Sequence, residues 1–403
     1  MRKILKMKKI IIFICISFLF FSIGCKILGK KDSGEKENKL NIYLDIKDKH
    51  SLEVIKLAID EYSKENSKIK IDITNSIGNS IKKDISEKKM DLIITNPNNM
   101  AVLQNSGLLS DVDIYLKKNK IDENFHKIIY SVGRYNDKYY GIGLVPYTVE
   151  FFYNKDKLKD LKIEEPKDID KLKKLLKELN NKNISIPTIL TENIDMNDLI
   201  LSVFMEKNLN LSNVKSMEKH LKEAFQKINT LQKQGVINNN TFKLGNESSI
   251  KKLANSNIPA VISISYYSNE FKDKDNIEII NNLQLDENLK SNLPIIIDNV
   301  ICVPTNSENN ENIHKFIGYV YGDKFQKKLY NKTGITANKK ISKKEGHIQE
   351  KINKHIEESS GKDIIISQTM QENLRMAIIS KIEKILSGNY TGKEYEEILQ
   401  EIK

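Results

Sequence analysis

The chain has 403 residues, of which 39% are hydrophobic and 30% charged, and its formal net charge is +11. That length accommodates two domains or one large one, and the apolar fraction suffices for a core. The lysines are interleaved with Asp and Glu along the whole chain, so the positive balance describes a solvated surface and excludes a dedicated nucleic-acid patch.

The N-terminus opens with a basic stretch, "MRKILKMKK", followed by the apolar run "IIIFICISFLFFSIG" and then Cys25. The run is ~15 residues, short of the ~20 a membrane span needs. It resembles a bacterial lipoprotein signal cut before a cysteine that carries lipid. Gly24 fits position −1, while Ser22 stands at −3 where such signals usually have Leu. Loss of residues 1–24 would remove Arg2, Lys3, Lys6, Lys8 and Lys9, five charges, and take +11 to +6. Of the three cysteines, Cys15 leaves with the signal and Cys25 is acylated. Only Cys302 then remains, so no disulfide can form within the chain. Residues 26–39 form a flexible charged tether.

Beyond the tether, strand and helix patterns alternate. "LNIYLDI" (40–46) is a predicted strand. A helix follows from an N-cap at Ser51, with Val54, Ile55, Ala58, Ile59 and Tyr62 at helical spacing. "KIKIDIT" (68–74), a short helix at "SIKKDISEKK" and "MDLIIT" (90–95) complete a βαβαβ pattern, which implies a parallel sheet covered by helices. Leu172, Leu175, Leu176 and Leu179 mark one face of a further helix. "IPAVISIS" (258–265) and "PIIIDNVICVP" (294–304) are strand-like runs. "IHKFIGYVYGDKFQKKLYNKTG" is a helical pattern that stops at Gly334, and the segment from about Thr369 to Leu386 is another, which stops at Gly388. Ligands in open α/β sheets bind outside the carboxyl ends of the strands, which points to Asp45–Lys47 and Thr95–Asn99.

Catalytic signatures are missing. The chain has no GxSxG elbow, Walker A loop, GxGxxG after a strand or HExxH. The six histidines are scattered and none has zinc spacing with cysteine. The expectation is a non-enzyme without cofactor or metal.

Five stretches, in order, carry a family resemblance: "MDLIITNPNNMAVLQNSGLLSDVDIYL", "DKYYGIG" with "FFYNKDKL", "IKKLANSNIPAVISISYYSN", "NVICVPTNSENNENIHKFIGYVYGDKFQKKLYNKTGITANKK" and "ILSGNYTGKEYEEILQEI". Together they resemble the extracellular solute-binding lipoproteins of ABC importers, in the branch that includes the maltose-binding protein, over roughly residues 40–403. The resemblance implies an α/β periplasmic-binding-protein fold with two discontinuous lobes joined by crossover strands. Lobe 1 would comprise 40–146 plus 300–335, and lobe 2 147–299 plus 336–403, with crossings near 143–148, 298–300 and 335. It further implies a monomer, lipid-anchored outside the cell membrane, that closes on a carbohydrate or a polar, anionic sugar derivative and presents it to ABC permease subunits.

The same resemblance assigns ligand-facing positions. Asp45, Ile46 and Lys47 fall at the cleft end of the first strand. Thr95 falls at an aromatic stacking position, Asn98 at a sugar-binding carboxylate and Asn99 at an arginine. Tyr147 corresponds to a polar contact, although the family's crossover Pro falls here at Gly143. Glu192 and Asn193 fall in a hydroxyl-binding loop, and Tyr266 or Tyr267 at a stacking Trp. Arg375 falls at another stacking Trp. It is one of only three arginines, with Arg2 and Arg134. It shares a helical face with Ile378, Ile379 and Ile382, so it either meets the ligand or pairs with a neighbouring carboxylate. Two further readings stay open: ferric-ion capture by the Tyr266–Tyr267 pair, and a ligand-presenting subunit of a membrane sensor.

Overall fold

The computed structural model describes residues 38–402, apart from 77–80, 88, 206–213, 281–284, 286–293, 308–309 and 342–345. Cys25, the signal and the tether lie outside the described residues. The first sheet is built from β1 (Lys39–Asp45), β2 (Lys70–Asn75) and β3 (Leu92–Thr95), linked by helices α1 (Lys49–Glu65) and α2 (Ile81–Glu87). β1 pairs parallel with both β2 and β3. This is the expected βαβαβ unit, with β1 in the middle. α3 (Pro97–Asn105) follows β3. Asn96 caps it by accepting from the Asn99 amide at 2.9 Å, and Pro97 occupies its first turn, where a missing N–H costs nothing.

α1 begins earlier than its Ser51 suggests. The Ser51 hydroxyl does not cap the helix but donates to Asp298 Oδ2 at 2.5 Å. The N-cap residue is Asp48, whose side chain caps nothing in the helix.

The chain leaves the first sheet after β4 (Ile142–Gly143) and enters the second through β5 (Pro146–Asn154), all nine residues of which are buried. A Cβ at Gly143 would meet Ile297 Cγ2 at 2.8 Å and the Ile129 carbonyl at 3.0 Å, so this crossing accepts glycine and little else. α4 (Ile169–Asn181) buries Leu172, Leu175, Leu176 and Leu179, each contributing roughly 1.5–3 kcal/mol of apolar burial. β6 (Ile186–Ile189), α5 (Met196–Phe204), β7 (Phe242–Leu244), β8 (Ala260–Ile264) and β9 (Ile277–Ile279) complete the second lobe's framework, with strand order β9-β5-β8-β6-β7.

The run 294–304 is two strands, not one. β10 (Ile295–Ile297) pairs with β5 on the second-sheet side, and β11 (Val300–Cys302) lies in the first sheet between β3 and β4. Asp298 and Asn299 make the crossing between them. The first sheet therefore reads β2-β1-β3-β11-β4, with β11 antiparallel to both neighbours. The helical pattern after it is also divided, into α6 (Asn310–Val320) and α7 (Asp323–Thr333), broken at Tyr321–Gly322. α7 stops at Gly334, whose φ of 70° is the left-handed cap expected there. Ala337 and Lys339 still bond to His126 and Asn124, so the chain stays on the first lobe a few residues beyond 335. It then contributes α8 (His347–Glu358) and α9 (Glu372–Leu386) to the second lobe. Among the described residues no helix is long and apolar enough to cross a membrane.

Candidate functional site

The two lobes meet along a seam lined by the ends of β1, β3 and β6. Among the described residues, several hydrogen bonds and ion pairs cross it. The Glu192 amide donates to Asp48 Oδ1 at 2.6 Å and Tyr266 OH donates to Glu53 Oε2 at 2.7 Å. Lys49 Nζ lies 2.8 Å from Glu247 Oε1, and Asn98 Nδ2 donates to the Ser367 carbonyl at 3.3 Å. The seam is closed in this structure.

On either side of the closed centre lies a cavity. The larger, of 860 Å³, takes Asp48, Lys49 and His50 from the first lobe and Glu192, Phe242 and Tyr267 among its second-lobe walls. The smaller, of 560 Å³, is lined by Asn98 and Asn99 on one side and Asn193, Gln368, Glu372 and Arg375 on the other. Both volumes suit a small-molecule site.

The expected residues distribute over this seam unevenly. Asp45, Thr95 and Asn99 form one network, in which Asp45 Oδ2 accepts from Thr95 Oγ1 at 2.9 Å and from Asn99 Nδ2 at 2.6 Å. Thr95 is fully buried beneath it. Asn98, Asn99, Asn193 and Arg375 share the smaller cavity, and Glu192 and Tyr267 the larger. Lys47 is exposed and lines neither. Tyr139 lines neither cavity and packs edge-on against Tyr130, with ring centroids 6.0 Å apart, while Tyr135 of the same hairpin borders the smaller cavity.

Arg375 borders the smaller cavity, but all three of its guanidinium nitrogens are engaged. Nε and Nη2 reach the two oxygens of Asp198 at 2.7 and 2.6 Å, and Nη1 reaches Glu372 at 2.9 and 3.1 Å. The neighbouring-carboxylate alternative describes this geometry. A charge already matched by two carboxylates offers little to an anionic solute.

The centre of the seam holds residues that sequence reasoning missed. Asp48, His50 and Asp298 are all buried, with one ligand-capable atom from each lying within 4.8 Å of the others. Burial and the neighbouring Asp48 push the Asp298 carboxyl up to about 8. Burial also raises Asp48 and lowers His50 to about 4. Burial thus disfavours the charged form of all three groups. His50 packs against Tyr147 with centroids 5.2 Å apart and against Tyr266 at 5.5 Å. Tyr147 is fully buried and its hydroxyl has no hydrogen-bond partner among the described residues. The one available signal was a charged residue, Asp298, inside an otherwise apolar run.

Tyr266 and Tyr267 are in edge-on contact at 5.2 Å. Burial pushes the Tyr267 phenol up to about 12 and raises Tyr266 as well, with Glu53 adding to it. Iron(III) capture by tyrosine needs phenolates, and this environment opposes them.

Residues 50–327 match the family described as bacterial extracellular solute-binding protein, which covers well over half the chain. The chain belongs to that family. Its members are extracytoplasmic receptors that bind small solutes and work with ABC transporters. Among solved structures, the GacH receptor of Streptomyces glaucescens superimposes with a TM-score of 0.67 at 15% identity, covering 90% of this chain and 96% of that one. A chitin oligosaccharide binding protein gives 0.68 at 15% identity, covering 90% and 97%. The sugar-binding protein MalE from Xanthomonas citri gives 0.67 at 13% identity, covering 90% and 95%. The fold is thus the two-lobed binding-protein fold. No curated protein matches the sequence.

Proposed function

We propose that this chain captures a carbohydrate between its lobes and presents it, without transforming it, to the permease of an ABC importer. The observation that carries the reading is the pair of cavities lined from both lobes, in a family of solute receptors whose similar structures include sugar binders. A solute that touches both lobes stabilises the closed form, and closure is the state a permease can read. The lobes in this reading are 40–146 plus 300–335 and 147–299 plus 336–403; strand membership supports the divisions at 146 and 299, while Ala337 and Lys339 keep to the first lobe. The receptor acts as a monomer tethered outside the membrane by lipid on Cys25, in keeping with its N-terminal signal. The anionic-sugar variant of this reading loses its main support, because Arg375 is neutralised within the protein.

Aromatic platforms are sparse. The chain has no Trp, and Tyr267 is the tyrosine lining the larger cavity. This favours a solute of one to a few rings over a long oligosaccharide. A thermal-shift screen against mono-, di- and trisaccharides tests it. A solute at 100 times its Kd should add ~2.7 kcal/mol of stability. If no sugar shifts the melt while amino acids or peptides do, the carbohydrate reading is wrong.

A further inference from the structure

We infer that the floor of the cleft is a binding site for one divalent cation of the zinc class, held by Asp48, His50 and Asp298. Three atoms that all lie within 4.8 Å of one another share a point about 2.8 Å (4.8/√3) or less from each. Zinc bonds to imidazole nitrogen and carboxylate oxygen are ~2.0–2.2 Å, so movements of under ~1 Å per side chain complete the coordination.

The imidazole of the trio is free to bind. His50 Nε2 has no hydrogen-bond partner, and its nearest carboxylate, Asp298 Oδ2, is 3.8 Å away. Asp48 Oδ2 is buried and receives no N–H donor. Its neighbour is the Asp298 carboxyl, with which it can bond only if one of the two carries a proton. Tyr147 adds an independent sign. Its hydroxyl is fully buried and unpartnered, beside the His50 ring and within electrostatic reach of Asp298 and Asp48. Buried carboxylates and an orphaned imidazole are costly unless they are paired or coordinate a metal. A mixed set of one imidazole and two carboxylates suits zinc-class ions better than calcium or magnesium, which take oxygen donors in larger number.

The remaining contacts of these residues fix what the ion would do. Asp48 holds the Glu192 amide of the second lobe through Oδ1. Asp298 sits on the crossing between β10 and β11 and accepts from Ser51 of α1. A cation here ties the first-lobe loop to the crossing strand and, through Asp48, to the opposite lobe. It therefore favours the closed arrangement.

The test uses the full chain, purified in detergent, stripped with EDTA, and titrated with ZnCl2 alone in the absence of any sugar. The expected result is one Zn2+ per chain and a melting temperature several degrees higher, with no comparable effect of CaCl2 or MgCl2. Asp298→Asn and His50→Gln, both nearly isosteric, should each weaken Zn2+ binding by at least about tenfold. CoCl2 should give the intense visible absorption of a four-coordinate site, a readout on the parent protein that stands even if a variant fails to fold. No bound Zn2+ and no cobalt spectrum would mean that the trio holds water. Unchanged Zn2+ affinity in folded variants would place the ion elsewhere on the surface. Either result overturns the inference and leaves the solute proposal standing, since no solute enters the experiment.

Discussion

Replacing Arg375 with alanine isolates one buried ion pair. Asp198 has no exposed surface, and two of its three recorded side-chain partners are the Nε and Nη2 groups of Arg375 at 2.7 and 2.6 Å. The third is the Asp195 amide, at 2.8 Å, in the capping box of α5. Alanine at 375 leaves a buried carboxylate with one neutral donor. Removing one partner of such a pair costs about 3–5 kcal/mol. Glu372 adds little, because its side chain is 62% exposed. Against a total stability of about 5–15 kcal/mol the loss is large. Arg375→Lys keeps the charge and loses the two-pronged geometry, so it should fall between parent and alanine. The double variant Arg375→Met/Asp198→Leu removes both charges together and should recover most of the loss. Urea unfolding at a shared m-value measures all three differences. Solute titration of the folded Arg375→Ala protein completes the assay. If that variant unfolds within about 0.5 kcal/mol of the parent while its solute affinity drops tenfold, the ion pair is not what holds the arginine, and the ligand-contact alternative is correct.

A second stability test concerns His355, whose Nδ1 lies 2.8 Å from Glu150 Oε1 in a buried pair. Burial opposes the imidazolium, but Glu150 outweighs it, with Glu358 assisting and Lys351 opposing, and the net shift is upward from 6.5. The stabilisation is thus complete below the ordinary histidine value and is lost as pH rises through the raised one. Urea stability of the parent should fall more between pH 6 and pH 9 than that of Glu150→Gln; equal slopes would show the pair to be neutral. Cys25→Ser should move the protein from the membrane fraction to the medium, and identical fractionation of the two would remove the lipid anchor. Small-angle scattering should show a smaller radius of gyration at saturating solute, and Tyr266→Phe, which breaks the hydrogen bond to Glu53 across the seam, should reduce that contraction. No contraction in the parent would count against clamping.

Much of the fold was legible where its signals are local. β1, β2, β3 and the leucine face of α4 lie within two residues of their expected positions, since alternation and helical spacing are properties of short windows. Misreadings arose where a residue's partner is distant in sequence. Ser51 has the chemistry of an N-cap, yet its hydroxyl is committed to Asp298, 247 residues away. The run 294–304 is apolar apart from Asp298 and Asn299, and that pair alone does not reveal that Ile297 and Val300 belong to different sheets. The candidate site follows the same division. Arg375 was conspicuous by composition and helical phase, but Asp198, which decides its role, lies on another helix 177 residues earlier. Asp48 and His50 sit beside the expected Asp45–Lys47 segment and became notable only when the fold brought Asp298 to them.

The position of β11 has a consequence for how the protein is made. It is the inner neighbour that joins β4 to the rest of the first sheet, and its hydrogen bonds run to Thr95–Ile93 on one side and Gly143–Ile142 on the other. Until the ribosome has added Val300–Cys302, β3 keeps an open edge and β4 has nothing to join. At about 5–20 residues per second the wait between Gly143 and Val300 is on the order of ten seconds or more. Over that interval the first sheet cannot be finished, however much of the first lobe's sequence has already been made. The interleaved topology thus makes the first lobe the later of the two to be completed in its sheet, because its inner strand is encoded after nearly all of the second lobe's strands.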